Sequence, residues 1–230
     1  MVSLCKSQGS LKPFLSSLIS FLIILNSGFC VETKAKAKIK TEAKIESDFL
    51  PKTFKSDFEQ RFISSISGKE KVSSGLIEYQ YPSHIRFEVL SPDKTIFVSN
   101  PKMSWYYTAP FIETEKGQVT LKASNKLLLT QFFDLLSKGL TNNSFYTVRK
   151  EKEFYELSFK DKITKEMNIK RAYLYYSGSA LTNLVQVKKV KLFYPDDRVV
   201  DLIFSNLQTN VTISDDRFVF EIPPNTVISE

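Results

Sequence analysis

Histidine, cysteine and glycine are scarce in this chain: one His, two Cys and seven Gly among 230 residues. With His84 alone, and cysteines only at Cys5 and Cys30, the body of the chain can assemble neither a zinc-type ligand set nor a thiol–histidine relay. Serine hydrolysis would have to use His84 as its base, and no G-x-S-x-G elbow accompanies it. Phosphate-cradling signatures, G-x-x-x-x-G-K-[ST] and G-x-G-x-x-G, are absent as well. His84, two residues after Pro82, reads as a turn residue. The acid pairs Asp196/Asp197 and Asp215/Asp216 stand in polar, turn-like stretches where solvation accounts for them. The sequence therefore predicts a protein that is not an enzyme and has no catalytic residue, metal or cofactor.

A long hydrophobic run is also missing. The most apolar stretch, Phe14 to Leu25, is too short to span a bilayer, which needs about 20 apolar residues. Preceded by Lys6 and Lys12 and followed by Ser27 and Gly28, it has the layout of a secretory signal peptide over residues 1–30, although it carries no A-x-A triplet. Cys30 stands where a lipidated cysteine would, but bulky Phe29 before it argues against that modification. Cys5 lies inside the signal segment, so no internal disulfide is available to the mature chain.

One-sided charge is weak too. The formal +7 loses two with Lys6 and Lys12. Two more go with Val31 to Lys52, where six lysines face four acids, so the body carries only about +3. Interleaved charges of that size describe a solvated surface and not a nucleic-acid footprint. Residues 31–52, with the Lys/Ala/Glu tract from Glu32 to Asp48, read as a charged linker. Residues 53–230 are enough for one domain without metal or disulfide support.

What the chain does have is aromatic residues, nineteen Phe and ten Tyr, set in short patterned segments. Phe54, Phe58, Phe62 and Ile66 recur every four residues with charges between them, which predicts an amphipathic helix. After Gly68 the period becomes two: Ile77, Tyr79 and Tyr81 alternate with polar residues, then Ile85, Phe87 and Val89. Ile96 and Val98 follow, and Trp105 and Tyr107 come after the turn at Asn100 and Pro101. Ser124 to Leu140 predicts a second helix through Leu128, Phe132, Leu135 and Leu136, with Gly139 as its stop. Strands are then expected at Tyr146 to Arg149, Phe154 to Lys160, Ile169 to Tyr176, Leu184 to Tyr194, Val199 to Ser205, Gln208 to Ile213 and Phe218 to Glu221. Strands joined by short turns, without a β-α-β rhythm, favour an antiparallel meander.

Four stretches, in this order, resemble the outer-membrane lipoprotein carrier family of the LolA type. Phe54 to Phe62 (FKSDFEQRF), followed by Ser74 to Tyr79, is similar to the family's F-x-x-x-F-x-Q opening and first strand. Pro82 to Glu88 (PSHIRFE) resembles its P-x-x-x-R-F/W strand. Ile96 to Tyr107 matches an apolar strand, a turn and a W-x-Y strand. Arg217 to Val227 (RFVFEIPPNTV) resembles the closing F-x-F-x-x-P-x-G-x-x-V. Two departures stand out. Tyr81 replaces a basic residue that in many members helps hold a lid closed, and Asn225 replaces the closing glycine, where asparagine also tolerates a left-handed turn.

The resemblance implies a mainly β (α+β) fold, an unclosed antiparallel β half-barrel with a helical lid. It implies a periplasmic, cofactor-free, monomeric carrier of lipoprotein acyl chains, loaded by an inner-membrane lipoprotein export complex and unloaded onto an outer-membrane lipoprotein receptor. By position, Phe87, Val89, Phe97, Trp105, Tyr107, Leu128, Phe132 and Leu136 would line the cavity, and Ile85 and Arg86 would form a partner-facing rim. Three rival readings use the same residues: a receptor lipoprotein anchored through Cys30, an envelope sensor or scaffold, and a hydrolase based on His84.

Overall fold

The computed structural model describes residues 49–112, 114–123 and 128–229. The signal-like segment, most of the lysine-rich tract and Cys30 lie outside the described residues.

The first described strand overturns a sequence expectation. Thr53–Ile63, expected as an amphipathic helix, is strand β1. A spacing of four is close to one helical turn but is also twice the strand period, so Phe54, Phe58 and Phe62 share a face either way. The intervening even positions decide between the two: Ser56 is buried and Gln60 half-buried on the face of Phe54 and Phe58. Strands β2 (Glu70–Gln80), β3 (His84–Ser91), β4 (Thr95–Ser99), β5 (Met103–Thr108) and β6 (Gly117–Ala123) follow as hairpins. Helix α1 (Leu128–Leu136) comes next, inside the helix expected from Ser124 to Leu140 and ending at Leu136, before the expected stop at Gly139. Then come β7 (Tyr146–Lys150), β8 (Phe154–Phe159), α2 (Asp161–Met167), β9 (Arg171–Tyr176), β10 (Val187–Phe193), β11 (Val199–Thr209) and β12 (Thr226–Ser229).

The described strands form one open sheet in the order β12-β6-β5-β4-β3-β2-β1-β11-β10-β9-β8-β7. Every neighbouring pair is antiparallel except β12, which lies parallel to β6. The expected mainly β, unclosed sheet with a helix on it is thus present. Helix α2 was not signalled by the sequence pattern: it has seven residues, buries only Ile163 and Met167, and stops at Asn168 in the left-handed region. The expected strand Phe218 to Glu221 is instead the end of a 3-10 turn (Asp215–Phe218) and an extended strap. Asn225 has φ +63°, the conformation that the closing glycine would otherwise supply. Phe49 and Leu50, placed in the linker by composition, are buried in the core.

Alternation gives the sheet two faces with different neighbours. On one, here the inner face, Phe54, Phe58, Ile77, Tyr79, Ile85 and Phe97 share a continuous core with Leu157, Leu174, Val190, Leu192, Leu202 and Phe204 from the far half of the sheet. Helix α1 packs into this core through Phe132, Phe133 and Leu136, all three without exposure. On the other, outer face, Ile96, Val98, Trp105, Tyr107 and Val119 form a separate cluster under Phe220. Gly75 permits a close strand approach between them: at the β2–β3 irregularity a Cβ there would sit 1.8 Å from the Glu88 carbonyl oxygen.

Candidate functional site

Strand register sorts the residues predicted to line a cavity. Ile77 pairs with Phe87, Gly75 with Val89, and Phe87 with Phe97, so Phe87, Val89 and Phe97 lie side by side on the inner face. Phe87 stacks on Phe58 at 4.0 Å between ring centroids. Phe87, Val89 and Leu128 are only partly buried against the inner core, whereas Phe132 and Leu136 are sealed on the sheet-facing side of α1. Six of the eight predicted residues therefore gather at one place: a strip of apolar sheet and the helix that closes over it.

Trp105 and Tyr107 do not join them. Phe97 pairs with Tyr106, while Val98 pairs with Trp105 and Ile96 with Tyr107. This puts Trp105 and Tyr107 on the outer face, in the cluster under Phe220. The aromatic β5 residue that shares the inner face, with Ser104 and Thr108, is Tyr106, half-exposed and missed by the sequence reading. The tight connection between Asn100 and Met103, closed by the Asn100 N–H donating to the Met103 carbonyl at 2.9 Å, pairs odd positions of β4 with even positions of β5. That parity was available from the turn itself.

The expected rim is also displaced. Ile85 is fully buried in the inner core, because the alternation that turns Phe87 inward turns Ile85 inward too. Arg86, on the opposite face, is bound to the Glu88 carboxylate and donates to the Arg217 carbonyl. Neither residue forms an open edge.

Polar groups fix the helix across the inner face. Tyr79 Oη donates to Asp134 Oδ1 at 2.6 Å, the Ser83 N–H to the same oxygen at 3.0 Å, and Ser83 Oγ to Asp134 Oδ2 at 2.8 Å. Burial first, and then the Asp134 carboxylate, push the Tyr79 phenol far above its ordinary pKa, so it remains a donor. At the end of the helix, Tyr146 Oη donates to the Gly139 carbonyl at 2.6 Å and shares the same proton at 3.1 Å with the Leu135 carbonyl, which also accepts the Lys138 N–H. Tyr81, at the position of the family's basic residue, gives its backbone N–H to Lys52; the link to the lid comes from its neighbours Tyr79 and Ser83.

The outer face is electrostatic at its centre. Glu78, buried, receives Lys55 Nζ at 2.7 Å and Arg217 Nη2 at 2.7 Å. Burial would raise its pKa, but the hydrogen bonds from Lys55 and Arg217 outweigh that and hold it below the ordinary glutamate value. His84 points Nδ1 at the Pro82 carbonyl and packs its ring edge-on to Phe218, the surroundings of a turn residue under the strap. Among the described residues no group of three or more His, Cys, Asp or Glu converges.

Comparison with known proteins adds three findings. A family model described as "Outer membrane lipoprotein carrier protein LolA" matches residues 51–221. The chain is 25% identical over 177 residues to an outer-membrane lipoprotein carrier protein of Idiomarina loihiensis, covering 76% of this chain and 79% of that one. It is 27% identical over 181 residues to a protein of the same description from Francisella philomiragia, covering 75% and 80%.

Proposed function

The chain belongs to the outer-membrane lipoprotein carrier family, and on that premise we propose that it shelters lipoprotein acyl chains on the inner face of its sheet while they cross the periplasm. Residues 1–30 direct export in this reading. An inner-membrane export complex supplies the cargo, and an outer-membrane receptor takes it.

The observation that carries the reading is the apolar strip Phe87, Val89 and Leu128, partly open and packed on buried Phe58 and the core under α1. An alkyl chain laid there removes its methylenes from water at about 0.8 kcal/mol each, on the order of 10 kcal/mol for a typical acyl chain. Most of the room is occupied by α1 itself, through Phe132, Phe133 and Leu136. Cargo therefore replaces contacts of the same chemistry, and the net affinity is far smaller than the gross burial. That suits a carrier, which must hand its cargo on.

The test is native mass spectrometry of the mature protein from periplasm, together with titration of a fluorescent palmitoyl probe. Phe87→Glu is expected to weaken probe binding by at least about tenfold, since one buried charge outweighs several methylenes, while Trp105→Phe, on the other face, leaves it unchanged. A protein that is always empty and extracts no lipoprotein from inner-membrane vesicles would sink the proposal and favour a sensor or scaffold.

A further inference from the structure

We propose that the end of the sheet formed by the β1–β2 and β5–β6 connections is a membrane-contact edge, whose apolar tips enter the interfacial layer of a lipid bilayer. The inference rests on the carrier reading for its purpose, since a carrier has to meet membranes, but the contact follows from the loops themselves.

Single exposed apolar residues are ordinary on a protein surface; here their distribution is not. The four most exposed large apolar side chains among the described residues are Ile66 at 97%, Phe111 at 73%, Ile112 at 58% and Ile63 at 57%. Ile63 ends β1 and Ile66 lies in the turn to β2, while Phe111 and Ile112 lie between β5 and β6. Strand register puts both connections at the same end of the sheet. Phe58, Gly75, Val89, Thr95 and Thr108 pair in series and so stand at one level across β1 to β5. Strands β1 and β2 stay paired past that level, out to Ile63 and Glu70, and the chain leaves β5 at Thr108 for the tip that holds Phe111 and Ile112. Between the two tips is the short β3–β4 turn, flanked by half-exposed Leu90 and tied to the β5–β6 loop by the Ala109 N–H donating to the Lys94 carbonyl at 3.0 Å. At about 4.8 Å per strand, the tips lie no more than about 20 Å apart. Among the described residues, the turns at the opposite end, 81–83, 100–102 and 151–153, expose no large apolar side chain. The exception at that end is Val185 in the 3-10 turn Leu184–Gln186, at 46%. Val89, at the end of the inner apolar strip, stands at the level from which the tips project, so the strip runs out toward this edge.

Main chain and charge fit the same occupant. Apolar tips enter lipid at least cost when their main-chain polar groups are already paired. In the β1–β2 tip the Gly68 N–H donates to the Ser64 carbonyl at 2.8 Å, the Ser64 N–H to the Lys69 carbonyl at 2.9 Å and the Ser67 N–H to Ser64 Oγ at 3.3 Å. In the other loop the Glu115 N–H donates to the Ile112 carbonyl at 3.0 Å. Lys69, Lys71, Lys94 and Lys116 are long enough to keep their charges at the headgroups while the tips go deeper. They are matched by Glu70, Asp93, Glu113 and Glu115, so the contact is made by the apolar tips and not by attraction to anionic lipid. A protein partner would need a surface complementary to two separate projections; fluid lipid takes their shape.

The experiment is flotation of the mature protein with phosphatidylcholine vesicles, whose neutral headgroups offer the lysine-rich tract no net charge to bind. The unmodified protein is expected to float, with little change between low and high salt. Ile66→Ser and Phe111→Ser should each lower vesicle partition by roughly 5- to 10-fold, and together by roughly 30-fold or more, while Val185→Ser leaves it unchanged. Each of these side chains is exposed, so all the variants should melt with the unmodified protein. Unmodified protein that stays in the buffer overturns the edge, as does a double variant that floats equally well. If the double variant loses extraction of lipoproteins from inner-membrane vesicles while the unmodified protein ignores phosphatidylcholine, the tips face a membrane protein and the edge is again overturned. The palmitoyl probe separates this inference from the carrier reading: protein that floats but binds no probe keeps the edge and loses the carrier, and protein that binds probe without floating does the reverse.

Discussion

Helix α1 covers the inner face of the sheet through side chains, whereas the segment from Asp215 to Ser229 covers the outer face of β3 to β6 through side chains and main chain together. On the outer side, Arg217 reaches Glu78 and Asn100 Nδ2 donates to the Phe218 carbonyl at 2.9 Å. Phe220 packs on Tyr107 at 5.2 Å between centroids, and β12 then pairs with β6 over four residues. On the inner side the attachments are the apolar face of the helix, one carboxylate and one phenol. The difference teaches what each cover is for. A strand paired along an edge cannot leave without breaking its ladder and exposing that edge. A helix keeps its main-chain bonds within itself and can leave as a unit. The outer cover is tied into the sheet by a ladder; the inner one is not.

The largest effect should come from breaking the outer cover. Phe220→Asp removes the ring that seals Trp105 and Tyr107 and places a charge beside them, so a stability loss of at least about 3–5 kcal/mol is expected by denaturant titration. Trp105, the chain's one tryptophan, reports on this cover directly, and its emission should shift red. Asp134→Ala should leave that emission unchanged, which separates the two covers in one spectrum.

A smaller effect follows from Glu78. Its pKa is lowered in the folded state, so its contribution is fully present above the ordinary glutamate range and is lost as pH falls through the lowered value. Trp105 emission should therefore begin to report loosening of the strap only in acid, below about pH 4.5. Glu78→Gln should remove that pH dependence, at a cost of about 1–3 kcal/mol at neutral pH. Loosening that persisted with the same pH profile in Glu78→Gln would assign the transition to another group.

Much of this arrangement could be read from the residues. The negative inventory, the strand periodicity from Ile77 to Val89 and the helix around Phe132 carried the fold class. Two things could not be read from periodicity alone. The FKSDFEQRF stretch repeats at a spacing common to both periods, and its polar inner residues, Ser56 and Gln60, conceal the strand alternation. Alternation also says which residues share a face but not which face is which. Position along the strands places Trp105 and Phe97 in one lining, yet the parity of the turn between them assigns them to opposite sides. The bond between Tyr79 and Asp134 is hidden for a different reason: the two sit more than fifty residues apart in sequence, and only the fold brings them to 2.6 Å.

Among the described residues, each cover buries one hydroxyl without a partner, Thr130 Oγ1 on α1 and Thr226 Oγ1 on the strap. Such a hydroxyl costs about 1–3 kcal/mol in either place, but Thr226 sits in β12, which its ladder to β6 holds, whereas α1 has no ladder to the sheet. Thr130→Val replaces the hydroxyl with a methyl of nearly the same shape, and the two residues have similar helix propensity. The closed helix should gain about 1 kcal/mol, a roughly fivefold drop in the open population. Exchange of the α1 amides should slow by that factor and uptake of the palmitoyl probe with it, while Trp105 emission stays as it was. Should the variant instead lose stability, the hydroxyl is finding a partner in the closed state, and nothing in the buried face of α1 then favours its release.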